Sequence, residues 1–258
     1  MHLGTAAGAG RRYNLLADLH FTTRLLMDRS TTAFLAQLAG EAQRYDEMAA
    51  LATQLLAFPA PLQSDEFDLL VIAFKNLVGP LRLAWRVTTS IQDSKTTWSP
   101  ARALDLAKYR AQIAAELQST CEAFLSLLRD RLLPEAPTVD AKVAYLKTQG
   151  DYYRYMAEVN DNDTTWAMGG AVAYNDAWNI AIVELTPTSP TRLGLALNFA
   201  VYLHDIGNAR DAALAFARSV FSDALDDLDS VSDNKAYQFA TMIMQALRGN
   251  IEIWTDDA

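Results

Sequence analysis

Prolines set the outline of this chain. Of its 8 prolines, all but Pro80 stand between stretches in which apolar residues return every three or four positions. Proline cannot donate a backbone hydrogen bond and pushes the residue before it out of the helical region, so this distribution marks helix ends. Within each stretch the apolar spacing is that of one buried helix face, and none alternates with the period of a strand. In order, the signals predict helices over about 30–43, 45–57, 64–93, 99–131, 140–160, 166–185, 191–206, 208–228 and 233–254. Ser30 or Thr31, Ser99 and Asp140 are the expected caps, with Pro100 at a first helical position. Asp65 and Glu66 suit a first turn. Gly79-Pro80 reads locally as a break, because an interior proline costs about 3 kcal/mol. The apolar spacing resumes in phase at Leu81, so 64–93 is expected to be one kinked helix. The sum is an all-α fold of nine antiparallel helices with short links.

The chain has 258 residues, 51% of them hydrophobic, enough for one large helical domain. That domain is placed at 29–258. Residues 1–28 form an extension of different character, with Gly4, Gly8 and Gly10 followed by Arg11, Arg12 and Arg24. It reads as an arm, an extra docked helix or an organelle-targeting segment. A net charge of -9 argues against binding a nucleic-acid backbone. The lone Cys121 lies in an apolar run and reads as a core residue, and the chain can form no disulfide within itself, which suits a reducing compartment. No uncharged apolar run reaches membrane-spanning length, so no membrane partner is expected.

Catalytic chemistry is hard to assemble. The histidines are His2, His20 and His204. His204-Asp205 resembles the metal-binding pair of HD-type phosphohydrolases, but the further ligands are lacking. Asp161-Asn-Asp lacks the glycine and the terminal glutamate of a calcium loop. There is no Gly-rich phosphate loop and no Ser/His/Asp set. No catalytic residue, metal or cofactor is expected.

Two cationic clusters stand out. Lys75, Arg82 and Arg86 are spaced by seven and eleven residues, close to whole turns, and so share one stripe of a helix. Stacked cations repel, and either solvation or a bound anion can relieve them. Lys147, Asp151, Arg154 and Tyr155 share a second helical face. Such a set offers a phosphate monoester a forked guanidinium, a point charge and a neutral hydroxyl donor. It is also compatible with plain ion pairing beside core tyrosines.

Five segments bear a closer resemblance. They are Arg-Tyr-Asp-Glu-Met-Ala-Ala at 44–50, Lys-Asn-Leu-Val-Gly with Trp-Arg at 75–86, and Gln-Gly-Asp-Tyr-Tyr-Arg-Tyr-Met-Ala-Glu-Val at 149–159. Pro-Thr-Ser-Pro-Thr-Arg-Leu-Gly-Leu-Ala-Leu-Asn-Phe at 187–199 and Ile-Met-Gln-Ala-Leu-Arg-Gly-Asn-Ile-Glu-Ile-Trp-Thr at 243–255 follow. From about Met27 onward the chain resembles the 14-3-3 proteins. The resemblance implies a cup-shaped protomer with a concave ligand groove, usually dimeric through its first four helices, which binds phosphoserine or phosphothreonine peptides. By the same resemblance Lys75, Arg82, Arg86, Arg154 and Tyr155 look like the phosphate cradle, with Lys147 beside it. Asn198 and Asn250 look like the amides that hold the peptide backbone. Leu197, Val201, Ile243, Ile253 and Trp254 look like the apolar wall, and Asp205 stands where the family usually has Glu. Arg44, Glu47, Tyr109 and Glu116 match the dimer region.

The chain departs from the family pattern in places. Pro80-Leu81 replaces a small residue and a basic one. Ala246 and Gly249 are smaller than usual, Gln112 replaces a usual Lys, and Ala84 replaces a frequent serine. The implied function is a non-enzymatic adaptor for phosphorylated client proteins, cytoplasmic with nuclear shuttling open to it, and homodimeric or paired with a paralogue. The alternative is a helical scaffold that binds acidic or self-derived segments without needing phosphate.

Overall fold

The structure is a computed structural model that describes residues 27–94, 98–160 and 163–256. The expectations for residues 1–26, including His2, His20 and the three leader arginines, lie outside the described residues, as do residues 161 and 162 of the acidic loop. Among the described residues there are nine α-helices and no strand. They are α1 (Arg29–Glu41), α2 (Tyr45–Gln54), α3 (Ser64–Ser94), α4 (Pro100–Leu127), α5 (Val139–Ala157), α6 (Thr164–Glu184), α7 (Pro190–Asp205), α8 (Arg210–Asp227) and α9 (Asn234–Asp256). The chain divides into two compact units, Met1–Glu122 and Ala123–Ala258.

In the first unit, α1, α2 and α3 pack through small and apolar side chains. Ala36, Ala39, Ala49 and Ala52 let the helices approach, and Met48, Leu55, Leu70, Phe74 and Val78 fill the space between them. The α1–α2 link turns on Gln43, whose φ of 57° lies in the left-handed region. The sequence points to Ser30 or Thr31 as the α1 cap, but the cap is Asp28. Its carboxylate accepts from the backbone N–H of Thr31 at 2.7 Å and from the Ser30 hydroxyl at 2.7 Å. An ionised acceptor at the positive end of a helix outcompetes a neutral hydroxyl. These hydrogen bonds hold Asp28 below the usual carboxylate range.

Helix α3 runs unbroken through Pro80. Gly79 and Pro80 are both exposed, so the carbonyl that loses its donor lies near solvent rather than in the core. The α3 N-terminus has the glutamate half of a capping box. Glu66 reaches back to the backbone N–H of Gln63 at 2.8 Å. Arg110 of α4 donates to the Thr89 hydroxyl at 2.9 Å and lies 4.1 Å over the Trp85 ring.

In the second unit α7 has two buried faces. Leu195, Phe199 and Tyr202 join Val143, Leu146, Tyr174 and Ala177 of α5 and α6. Leu193, Ala196 and Ala200 join Ala217, Val220, Ala240, Met244 and Leu247 of α8 and α9. A helix buried on two sides is apolar nearly all round, as Leu-Gly-Leu-Ala-Leu-Asn-Phe-Ala-Val is. The caps again differ by one or two positions. Thr138, not Asp140, caps α5, accepting from Ala141 N–H at 3.1 Å and leaving Asp140 in the first turn. Asp163 caps α6, so that helix starts at Thr164 rather than Trp166. Ser189 caps α7, with Pro190 at its start in place of Thr191. Asp233 accepts from Ala236 N–H at 2.7 Å at the start of α9.

Candidate functional site

Lys75, Arg82 and Arg86 all lie on α3, and because the helix continues past Pro80 their spacing keeps them on one stripe. Lys75 and Arg86 are exposed and Arg82 is half-buried. The neighbouring Trp85 is half-buried beneath the Arg110 guanidinium, so the aromatic of this segment belongs to packing.

The cluster on α5 is built differently. Lys147 Nζ lies 2.9 Å from Asp151 Oδ2, and Arg154 Nη1 lies 3.2 Å from Glu158 Oε1. The ion-pairing arrangement left open by the sequence is therefore present here. Both pairs are spaced at one helical turn. Asp151 Oδ1 accepts from the Tyr174 hydroxyl at 2.5 Å and from Asn198 Nδ2 at 2.8 Å. Burial pushes the Asp151 carboxyl up, but the Lys147 and Arg154 charges and the Tyr174 hydrogen bond outweigh it, and its pKa lies below the ordinary value. Burial likewise opposes the charge on Arg154, but the nearby Asp151 carboxylate favours it, and the guanidinium pKa lies above its ordinary value. Burial and the adjacent Asp151 hold the Tyr174 phenol well above its usual range, so it stays a donor. Arg154 lies 4.9 Å over the Tyr155 ring, and its Nε is buried without a hydrogen-bond partner among the described residues. Tyr155 itself is half-buried, 5.3 Å from the Tyr152 ring.

Asn198 is thus joined to Lys147 through Asp151. Leu197, Ile243 and Trp254 pack in part against the α7–α9 core, Val201 and Asn250 are half-buried, and Ile253 is 60% exposed. Asp205 accepts from or pairs with His204 at 2.7 Å, and the His204 ring stacks on Trp254 with centroids 4.5 Å apart. His204 is accordingly engaged in packing. Among the described residues no three His, Cys, Asp or Glu side chains gather in a way that could hold a metal ion. In the first unit Arg44 pairs with Glu47, its Nε 2.7 Å from Oε2. Tyr109 is 55% exposed, and the half-buried Glu116 accepts from Gln112 at 3.0 Å.

Sequence reasoning missed Tyr174 and Gly150. A Cβ on Gly150 would lie 2.8 Å from the Tyr174 ring, so the glycine beside Asp151 is what admits that ring. The Gln-Gly-Asp triplet was visible, but its partner stands 23 residues from Asp151 on another helix.

Comparison with known proteins decides the family. The 14-3-3 protein family model matches residues 35–255, across both units. The Arabidopsis thaliana 14-3-3-like protein G-BOX factor 14 kappa is 39% identical over 237 residues, covering 90% of this chain and 95% of its own length. Caenorhabditis elegans 14-3-3-like protein 2 is 42% identical over 225 residues, covering 86% and 90%. Bombyx mori 14-3-3 protein zeta is 40% identical over 233 residues, covering 90% and 94%. The chain belongs to the 14-3-3 family. In this chain Pro80 lies inside α3, His204 stacks on Trp254, and on α9 Ala246 is exposed and Gly249 half-buried. Among the described residues no helix is long and apolar enough to cross a membrane.

Proposed function

We propose that this 14-3-3 chain is an adaptor that binds phosphoserine and phosphothreonine peptides of client proteins. The family match across both units carries this reading, together with the presence here of every cation and hydroxyl expected of the phosphate cradle. Family members are adaptors rather than enzymes. In this reading Lys75, Arg82, Arg86, Arg154 and Tyr155 each contribute to phosphate binding. A phosphate monoester carries a charge of roughly -1.5 to -2 at neutral pH, which forked guanidinium donors and an ammonium meet well. Lys147 stands beside them. Asn198 and Asn250 hold the client backbone, while Leu197, Val201, Ile243, Ile253 and Trp254 cover its apolar side chains and Asp205 lies at their edge. Contacts to backbone read little sequence, so one chain serves many clients.

The protomer pairs with a second copy or a paralogue through the first unit. Phe34 at 62% exposure and Leu38 on α1, Leu83 at 63% and Val87 on α3, and Leu104 and Tyr109 on α4 present apolar surface there, near Arg44, Glu47 and Glu116 in the sequence pattern of the dimer region. The domain spans 29–258, residues 1–28 are an appended extension, and the place of action is the cytoplasm.

Charge reversal tests the cradle. Lys75→Glu and Arg86→Glu should each weaken phosphopeptide binding by roughly 10- to 100-fold, the loss of a charge-assisted hydrogen bond. Arg210→Glu, an exposed reversal at the start of α8, should leave it unchanged. Phosphopeptide binding that survives Lys75→Glu and Arg86→Glu intact would remove both residues from the cradle.

A further inference from the structure

Asp151 is 6% exposed, and its two oxygens have separate partners. Oδ2 accepts from Lys147 at 2.9 Å, while Oδ1 accepts from the Tyr174 hydroxyl at 2.5 Å and from Asn198 at 2.8 Å. A carboxylate accepts and never donates, so the Asn198 group that faces it has to be the NH2. The amide oxygen of Asn198 is therefore turned away from Asp151. Tyr174 reaches this point because Gly150 leaves room for its ring, which Phe199 and Tyr202 support at 5.4 and 5.3 Å.

We propose that Asp151 and Tyr174 are positioning residues that set the polarity of Asn198, so that its amide offers a bound client a hydrogen-bond acceptor. The complementary client group is a backbone N–H. The nature of the client rests on the phosphopeptide reading, whereas the orientation of the amide does not.

Asp151→Asn inverts the arrangement. Lys147 can only donate, so it claims the single oxygen of the introduced amide. The NH2 at position 151 then faces both the Tyr174 hydroxyl, which can accept as well as donate, and Asn198, which turns its own oxygen inward. A client meets a donor where it met an acceptor. Tyr174→Phe keeps the ring and its stacking but removes one of the donors that fix the carboxylate.

The full chain, isotope-labelled, tests this by NMR without ligand. In the wild type the Asn198 side-chain NH2 gives a resolved pair of resonances, shifted from free amides and slow to exchange with water. In Asp151→Asn the pair moves to the free-amide position, and in Tyr174→Phe it exchanges faster while the backbone spectrum is retained. A wild-type pair already at the free-amide position overturns the proposal, and so does a pair unchanged in Tyr174→Phe and in any folded Asp151→Asn. A second arm uses a phosphopeptide methylated in turn on each backbone nitrogen flanking the phosphoresidue. One of these methylations should weaken wild-type binding about tenfold, and the same one should cost about twofold or less in Asp151→Asn. Equal penalties in both proteins overturn the proposal. If the wild type shows the protected Asn198 pair but binds no phosphopeptide, the proposed function fails and the positioning role stands.

Discussion

Arg29 holds Glu66 through both carboxylate oxygens, with Nε 2.6 Å from Oε1 and Nη2 2.5 Å from Oε2. The same guanidinium donates to the carbonyls of Ala60 and Pro61 at 2.8 and 2.7 Å. One side chain thus ties the first turn of α1 to the proline link and to the start of α3, the helix that bears the cation stripe. Hydrogen bonding from Arg29 holds Glu66 below the usual carboxylate range against the opposing effect of burial.

Removing that charge should destabilise the fold in a pH-dependent way. Because the folded carboxyl has the lower pKa, its contribution is present above the ordinary glutamate value. It is lost as the pH falls through the lowered folded value. Glu66→Gln should therefore lower stability near neutrality by about 1–3 kcal/mol, discounted from a fully buried pair because Arg29 keeps some solvent contact. Urea denaturation of both proteins reads the difference, which should shrink in acid.

Two glycines should respond in opposite directions. Gly150→Ala drives a Cβ to 2.8 Å from the Tyr174 ring and should cost about 1–3 kcal/mol by overpacking. Gly249→Ala meets no atom within 4 Å and should stabilise α9 by about 0.5–1 kcal/mol through helix propensity. Chemical denaturation of the two variants measures both.

Much of this was legible in local sequence. The nine helices, the continuity of α3 through Pro80, and the pairing of Arg154 with Glu158 follow from spacing within a single helix. Caps were less legible because several suitable residues stand within a few positions. Asp28 precedes Ser30 and Thr31, and Thr138 precedes Asp140, so the choice turns on backbone geometry. Contacts between helices were not legible at all. Nothing local marks Tyr174 as the partner of Asp151, or Trp254 as the surface on which His204 stacks.

Pro80 carries its cost on the exposed side of α3. Pro80→Ala restores one backbone hydrogen bond and relieves the ring's clash with the preceding turn, together about 3 kcal/mol in a helix interior, and returns up to about 1 kcal/mol of freedom to the unfolded chain. A net gain of about 2 kcal/mol is expected, read as a higher denaturation midpoint.

The exposed apolar side chains of the first unit should govern assembly. Phe34→Glu places a charge at an exposed apolar position of α1 and should shift the chain from dimer to monomer in sedimentation at micromolar protein. Its far-ultraviolet circular dichroism should remain that of a helical protein.

The most direct measurement is calorimetric titration of the wild-type chain with one Arg-Ser-x-Ser-x-Pro peptide in two forms, phosphorylated and unphosphorylated on the second serine. The phosphorylated form should bind at least about 100-fold more tightly, since its dianion alone engages the cationic side chains. Equal binding of the two forms, or no binding of either at micromolar protein, would contradict the account.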